Sequence, residues 1–345
     1  MKVLVLVDKF KGTLSSKQIG KIIVHELNKS NINADYFPIS DGGDGFLDSI
    51  NCNDLLTRYC YAQDAYGNYK RVFYLMNKNK VYIEVAKIVG GNYPRLNLFK
   101  ATSYGIGEVI LDAISKGGKE FYIGLGGSMC NDCGKGMLEA LKIFENNQIN
   151  VSKIKLFKNF SFSIISDVDN PLLGLNGATY TFAKQKGAQD SDLSSLENIN
   201  VEFSNIIFKY LKKDYTQHKG AGAAGGIGFA FLSVLNANYY SGINFVMQYL
   251  KLPNISKNYD LIITGEGKID EQSLHGKVVF EILQRLQKRT LIICAINEIK
   301  SNVLLSQNII GIYSIIPSIA NLSVSLATPK KCLKKLLKTI QWNKL

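Results

Sequence analysis

The sequence predicts an α/β protein. It would have a Rossmann-like, doubly wound parallel-sheet domain formed by both termini, with a second α/β domain inserted into it. Three observations predict this. Apolar runs such as "KVLVLVD" and "DLIITG" are continuous rather than alternating, as in strands buried on both faces. Amphipathic helical patterns follow them after short joins. The same strand–loop–helix grammar opens and closes the chain, with a long middle region between. The chain has 345 residues, 46% hydrophobic and 20% charged, enough for two domains with full cores.

"KVLVLVD" is the first strand. Ser15 and Ser16 cap a helix over "SSKQIGKIIVHELNKS", with Ile19, Ile22, Ile23 and Leu27 on one side. "ADYFPIS" is a second strand leading into "DGGDGFLDSI", which completes a right-handed βαβ unit. Near the other end, "YDLIITGEG" is a strand with a polar loop, and "GKVVFEILQRLQK" is a helix. "TLIICAIN" and "GIYSII" are strands, and the tail "PKKCLKKLLKTIQWNKL" is a last amphipathic helix. The terminal segments, 1–53 and 246–345, form the first domain, and Asp8, Lys11, Asp41, Glu266 and Asn297 are expected to share one rim at its strand ends. The inserted domain covers 54–245. It holds a hairpin around Tyr66-Gly67-Asn68, strands over "KVYIEVA", "KEFYIGLG" and "FSIISDVDN", and helices over "TSYGIGEVILDAIS" and "DCGKGMLEALKIF". Residues 220–250 carry no charge, but glycines and asparagines interrupt them. They read as a buried, glycine-started helix plus a second short one, not a membrane span.

Lysine and arginine total 41 against 28 acidic residues, a net charge of +13. That charge raises a different class of function, a basic nucleic-acid-associated binding protein. The lysines are scattered, however, and concentrate only in the tail, so no nucleic acid and no membrane partner is expected. The apolar run at the N-terminus is too short for a signal peptide, and six cysteines then read as reduced thiols of a cytoplasmic protein. Cys130-x-x-Cys133 suggests zinc or thiol redox chemistry, but no second Cys or His pair completes a tetrahedral site. Gly220-x-Gly222-x-x-Gly225 matches a dinucleotide fingerprint without the preceding strand or the acidic residue that follows it.

Six loops pair glycine with carboxylate, amide or lysine: "DKFKGTLSS", "SDGGDG", "GLGGSMCND", "SDVDNPLLG", "AKQKGA" and "TGEGKIDEQSLHGK". Glycine lets backbone N–H groups close on a phosphate, lysine neutralises it, and carboxylates hold Mg²⁺ or accept an alcohol proton. These loops, with "GAGAAGGIG", resemble in the same order the signature loops of bacterial type-1 glycerate kinases, from the first strand to about residue 300. The resemblance implies phosphorylation of D-glycerate by ATP with Mg²⁺. It also implies two α/β domains, one Rossmann-like, with the active site in the cleft between them. The 2-phosphoglycerate product is favoured, and a kinase of another small hydroxy acid is the nearest alternative. A homodimer is left open. Cys130 and Cys133 replace a small hydroxyl residue and a glycine of the family pattern. Phe46 and Asp44 stand where threonine and glutamate are common, and "AKQKGA" lacks the usual Gly-Pro.

Each candidate residue has an expected role. Lys11 binds the glycerate carboxylate or the transferred phosphoryl group. Asp41 is the first choice for accepting the substrate hydroxyl proton. Asp167 and Asp169, two apart in extended chain, share a face and would bind Mg²⁺, with Asp167 also catalytic. An Asx turn without metal is the competing reading. Gly126, Gly127, Ser128, Asn131 and Asp132 hold nucleotide or substrate phosphate. Glu266, Asp270 and Lys277 line one loop that enters a helix, where Asp270 also reads as a helix cap.

Overall fold

A computed structural model of the chain describes residues 1–50, 54–91, 97–270, 278–299 and 308–344. Along the chain the strands are β1 Lys2–Val7, β2 Asn33–Tyr36, β3 Leu56–Gln63, β4 Tyr69–Asn77, β5 Lys80–Glu84, β6 Glu120–Gly124, β7 Phe144–Glu145, β8 Gln148–Ile149, β9 Ser161–Ile165, β10 Asn238–Tyr240, β11 Leu261–Gly265, β12 Lys268–Ile269, β13 Thr290–Asn297 and β14 Ile309–Ile316. They fall into two compact units. One comprises Met1–Asp41, Asp48–Ile50 and Ile243–Leu345, and the other Gly42–Leu47 and Asn51–Gly242.

In the first unit the strands run β2-β1-β11-β13-β14, every neighbour parallel, with short β12 also pairing β13. Counted within the unit this is the 2-1-3-4-5 order of a doubly wound sheet. Its topological switch point lies between β1 and β11. Both faces are covered, which explains the continuous apolar runs. Val3, Val5, Leu261, Ile263, Leu291 and Ile293 pack on the helices Ser16–Lys29 and Pro329–Thr339. Ile292 and Cys294, of opposite parity, pack on Val279 and Leu283 of the helix Val278–Leu286. The first helix begins with a complete capping box: the Ser15 hydroxyl accepts the Gln18 N–H, and the Gln18 side chain accepts the Ser15 N–H. In the tail helix Cys332, Leu333, Leu336 and Leu337 are buried, while Lys331, Lys334, Lys335 and Lys338 face water. The one concentration of positive charge is therefore the solvent face of a docked helix.

The second unit has a mixed sheet, β10-β9-β6-β5-β4-β3. Its first four strands are parallel, and β3–β4 is the expected antiparallel hairpin. The Asp64 carboxylate closes that hairpin by accepting the Tyr66 and Asn68 N–H groups. The helix expected over "DCGKGMLEALKIF" is shorter, Lys135–Ala140. It stops because Lys142 takes a left-handed φ of 58°, and the Ile143 N–H turns back to the Leu138 carbonyl, which leads into β7. The 19-residue helix Leu193–Leu211 was not anticipated. Its buried stripe mixes Leu193, Leu196, Phe203 and Ile207 with Glu197, Asn200 and Ser204, so hydropathy alone does not reveal the period. Strand β10 and the β7–β8 ribbon were also missed, both being very short. Gly42–Leu47, expected in the first domain, groups with the second unit. The backbone of Gly42 lies so close to β9 that an added Cβ would sit 2.6 Å from the Ile165 carbonyl oxygen, and its φ of +86° also requires glycine. Among the described residues no helix is long and apolar enough to cross a membrane.

Ile263 is fully buried in β11, between β1 and β13. Ile263→Ala is expected to destabilise the first unit by about 2–5 kcal/mol, read as a lower urea midpoint. A midpoint within error of wild type would show that this strand is not part of a cooperative core.

Candidate active site

The parallel strands of the first unit all end at one edge, and the residues that leave them form a polar rim. Asp8 follows β1, and its N–H donates to the Gly265 carbonyl at 2.8 Å, extending the β1–β11 pairing to the switch point. The Asp8 side chain is buried, with Oδ1 accepting the Lys9 N–H at 2.7 Å. Burial pushes its pKa up to about 7. Lys9 pulls it down, whereas Asp41 and Glu266 push it further up. The Lys9 ammonium lies 3.3 Å from Asp41. Lys11 stands exposed on a tight turn closed by the Phe10 N–H to the Leu14 carbonyl at 2.8 Å. An added Cβ on Gly267 would lie 3.3 Å from the Lys11 nitrogen, so the Glu266-Gly267 loop lies against this turn. Asp270 pairs with Lys268 at 3.7 Å, and Lys268 also holds Glu298 at 2.8 Å. Asn297 is exposed, and its side-chain oxygen accepts the Ile299 N–H. Lys277 lies outside the described residues.

In the second unit the carboxyl ends of β5, β6, β9 and β10 also share an edge, because those strands are parallel. Gly126 and Gly127 follow β6, with Gly127 exposed at φ +65°. Ser128 is buried and donates its hydroxyl to the Ala224 carbonyl at 2.7 Å. The Lys186 ammonium reaches the same hydroxyl at 3.2 Å and the Cys130 carbonyl at 2.7 Å. Gly225, itself at positive φ, leaves no room for a side chain against that carbonyl. Three sequence motifs, "GLGGSMCND", "AKQKGA" and "GAGAAGG", are therefore one assembly. Close packing against Tyr239, Pro171 and Cys130 accounts for Gly220, Gly222 and Gly225 of the third. Lys186 is buried against a carbonyl and a hydroxyl, with no carboxylate at ion-pair distance among the described residues, and burial lowers its pKa to about 8.

The residues of the 128–132 loop differ in what they have left to offer. The Asn131 amide donates to Thr179 Oγ1 at 3.3 Å, and its buried Oδ1 has no hydrogen-bond partner among the described residues. Asp132 is committed to the chain itself. Oδ2 accepts the Ser103 N–H and hydroxyl, both at 2.8 Å, and the Gly136 N–H at 3.2 Å, while Oδ1 accepts the Gly134 N–H. These four bonds give Asp132 a loop-shaping role beside the expected phosphate contact. Cys130 and Cys133 are fully buried, which raises both thiols well above their usual range. Both side chains are packed into the apolar core around the helix Lys135–Ala140.

Asp167 and Asp169 do not converge. Asp167 Oδ1 accepts the Ser241 hydroxyl at 2.7 Å and the Gly242 N–H at 2.9 Å. Asp169 accepts the Tyr239 hydroxyl at 2.9 Å and faces the Lys219 ammonium at 3.0 Å. Asp169 thus already faces an ammonium, whereas the contacts of Asp167 are to a hydroxyl and a backbone N–H. Among the described residues no group of three or more His, Cys, Asp or Glu side chains is placed to hold a metal ion. Sequence reasoning also passed over Glu84, although a carboxylate inside the apolar run "KVYIEVA" is an anomaly. It is buried, caps the "SDGGDG" loop by accepting the Gly45 and Leu47 N–H groups, and pairs with Lys87 at 3.2 Å.

A sequence model of the glycerate kinase family matches residues 3–342 of the chain. A Bacillus cereus glycerate kinase is 33% identical over 313 residues, covering 83% of this chain and 82% of the relative. The Escherichia coli K12 glycerate 2-kinase is 30% identical over 351 residues, 93% of this chain and 92% of its own. A crystal structure from Salmonella typhimurium LT2, assigned as glycerate kinase 2, superposes with a TM-score of 0.76 at 27% identity, covering 100% of this chain and 99% of that one.

Lys186 supplies a pH-dependent prediction. The folded state gives up its proton near pH 8, whereas an unfolded lysine holds it to about 10.4. The unfolded chain therefore binds more protons in that window, and stability from this group rises with pH across it. The unfolding free energy of wild type minus that of Lys186→Met is expected to increase by on the order of 2–3 kcal/mol between pH 8 and 10.4 in urea titrations. A flat difference would mean the ammonium is not desolvated.

Proposed function

The chain belongs to the glycerate kinase family and is a phosphotransferase with an alcohol acceptor. From that premise we propose that it transfers the γ-phosphoryl group of ATP to D-glycerate, forming 2-phosphoglycerate. The observation that carries this reading is the family match along nearly the whole chain, and the likeness to a glycerate 2-kinase supports the 2-position.

The roles follow from what each group has left to offer. Lys11, exposed on its tight turn, anchors the substrate carboxylate or the transferred phosphoryl group. Gly126 and Gly127 offer backbone N–H groups to phosphate oxygens. Ser128, Lys186 and Asp132 hold that loop in shape, so little entropy is lost when a ligand orders it. Asn131 Oδ1 is left to accept a hydrogen bond from a bound hydroxyl. Glu266, Asp270 and Lys277 belong to the loop proposed to contact the nucleotide. Mg²⁺, when bound, neutralises phosphate charge. Asp167 and Asp169 are the carboxylates that would hold it. The five described cysteines are unpaired, which fits a reducing cytoplasm.

A coupled ADP-release assay over a panel of hydroxy acids is expected to rank D-glycerate first, with phosphorus NMR placing the new ester on the 2-oxygen. Equal or faster turnover of another hydroxy acid would replace the substrate. Lys11→Ala is expected to raise KM for D-glycerate or ATP at least about tenfold, the loss of one charge-assisted contact. Unchanged KM values for both would remove Lys11 from binding.

A further inference from the structure

The acidic groups on the rim of the first unit are not equivalent. Asp41 has a 45% exposed side chain, and its charge is already matched by the Lys9 ammonium at 3.3 Å. Asp8 is 8% exposed and leaves β1 at the switch point, beside the residues that leave β11. Its Oδ1 takes the Lys9 N–H, and Oδ2 takes no hydrogen bond among the described residues. The charged groups facing it are Lys9 from its own loop, Asp41 from the stretch after β2 and Glu266 from the stretch after β11. Of the two neighbouring carboxylates Asp8 and Asp41, the first is buried with an unbonded oxygen and the second is exposed and ion-paired, a contrast that separates a proton acceptor from a charge partner of Lys9.

We infer that Asp8, not Asp41, accepts the proton of the substrate hydroxyl, while Asp41 beside it stays paired with Lys9. This rests on the phosphoryl-transfer reading above. In the step, a lone pair of the substrate oxygen forms the new bond to the γ-phosphorus. The bond from that phosphorus to the β,γ-bridging oxygen breaks, and ADP leaves with its electrons. The hydroxyl proton passes to Asp8 Oδ2 and returns to solvent when product leaves.

The test is kcat/KM for D-glycerate at saturating MgATP from about pH 5 to pH 9, with Asp8→Asn, Asp41→Asn and Asp8→Ala beside wild type. In wild type the rate falls about tenfold per pH unit below about 7, because protonated Asp8 accepts nothing. Asp8→Asn, which keeps the shape and the contact to the Lys9 N–H, loses about 10²-fold or more in kcat with KM for ATP little changed. Its acid limb flattens, whereas Asp41→Asn retains the limb. Formate restores part of the activity of Asp8→Ala by placing a carboxylate in the vacated space.

A stability readout is independent of turnover. The folded-state pKa of Asp8 is raised, so its contribution to stability is complete below the unfolded value near 3.9 and is lost as pH rises through about 7. Asp8→Asn therefore melts above wild type at pH 8 and alongside it at pH 4. Near-normal kcat in Asp8→Asn, an acid limb that persists in it, or a melting difference flat with pH each overturns the assignment. Wild type that releases no ADP with D-glycerate at any pH instead removes the functional reading, and the melting series still reports whether Asp8 titrates near 7.

Discussion

The pairing of β1 with β11, Val3 with Leu261 through Val7 with Gly265, joins segments from opposite parts of the chain. Closing so long a loop costs on the order of 5 kcal/mol of chain entropy. Burying Val3, Val5, Leu261 and Ile263 offsets it, since each fully buried aliphatic side chain contributes about 1.5–3 kcal/mol. The consequence is chemical as well as structural. Two parallel strands that were neighbours only by virtue of this pairing deliver Asp8 and Glu266 to the same edge. The Asp8 N–H, bonded to the Gly265 carbonyl, continues the ladder up to the point where the rim begins. A sheet covered on both faces leaves only its strand ends for polar work, which is why the acidic and lysine residues gather there.

The second unit rests on a different constraint, the need to satisfy polar groups that its close-packed loops bury. Lys186 spends its ammonium on a carbonyl and a hydroxyl, and Glu84 spends its carboxylate on two backbone N–H groups and Lys87. A carbonyl carries only partial charge, so it compensates a buried ammonium less fully than a carboxylate would, and the lysine gives up its proton more readily. Asp132 ties the turn that starts the helix Lys135–Ala140 to the start of the helix Tyr104–Ser115 through Ser103. Groups committed in this way shape the glycine loops and leave the loop backbone free for a ligand. Cys130 and Cys133 fit the same logic, as small, protonated and packed residues that take the place of a hydroxyl and a glycine.

Much of this was legible in the residues. The five long strands of the first sheet, its capped first helix, the hairpin at Tyr66-Gly67-Asn68 and the docked lysine-rich tail all follow from periodicity and turn chemistry. These are local properties of the chain. The helix Leu193–Leu211 was hidden because tertiary contacts bury polar residues along its stripe, and β10 is too short to carry a period. Among the site residues, sequence spacing placed Asp167 and Asp169 on one face, yet Ser241 and Lys219, distant in sequence, draw them to separate partners.

The sequence by itself determined the α/β class, the positions of the longer strands along the chain and the composition of the loops that mark a glycerate kinase, because each is written in short stretches of neighbouring residues. Only the tertiary structure decided which polar groups are spent and which remain. Asp132 is bonded to the backbone around it, Lys186 is locked between two glycine loops, Asp41 is matched by Lys9, and Asp8 is left buried with an oxygen to spare. Hydrogen-bond partners and desolvation depend on residues brought together from far along the chain, and no local pattern specifies them.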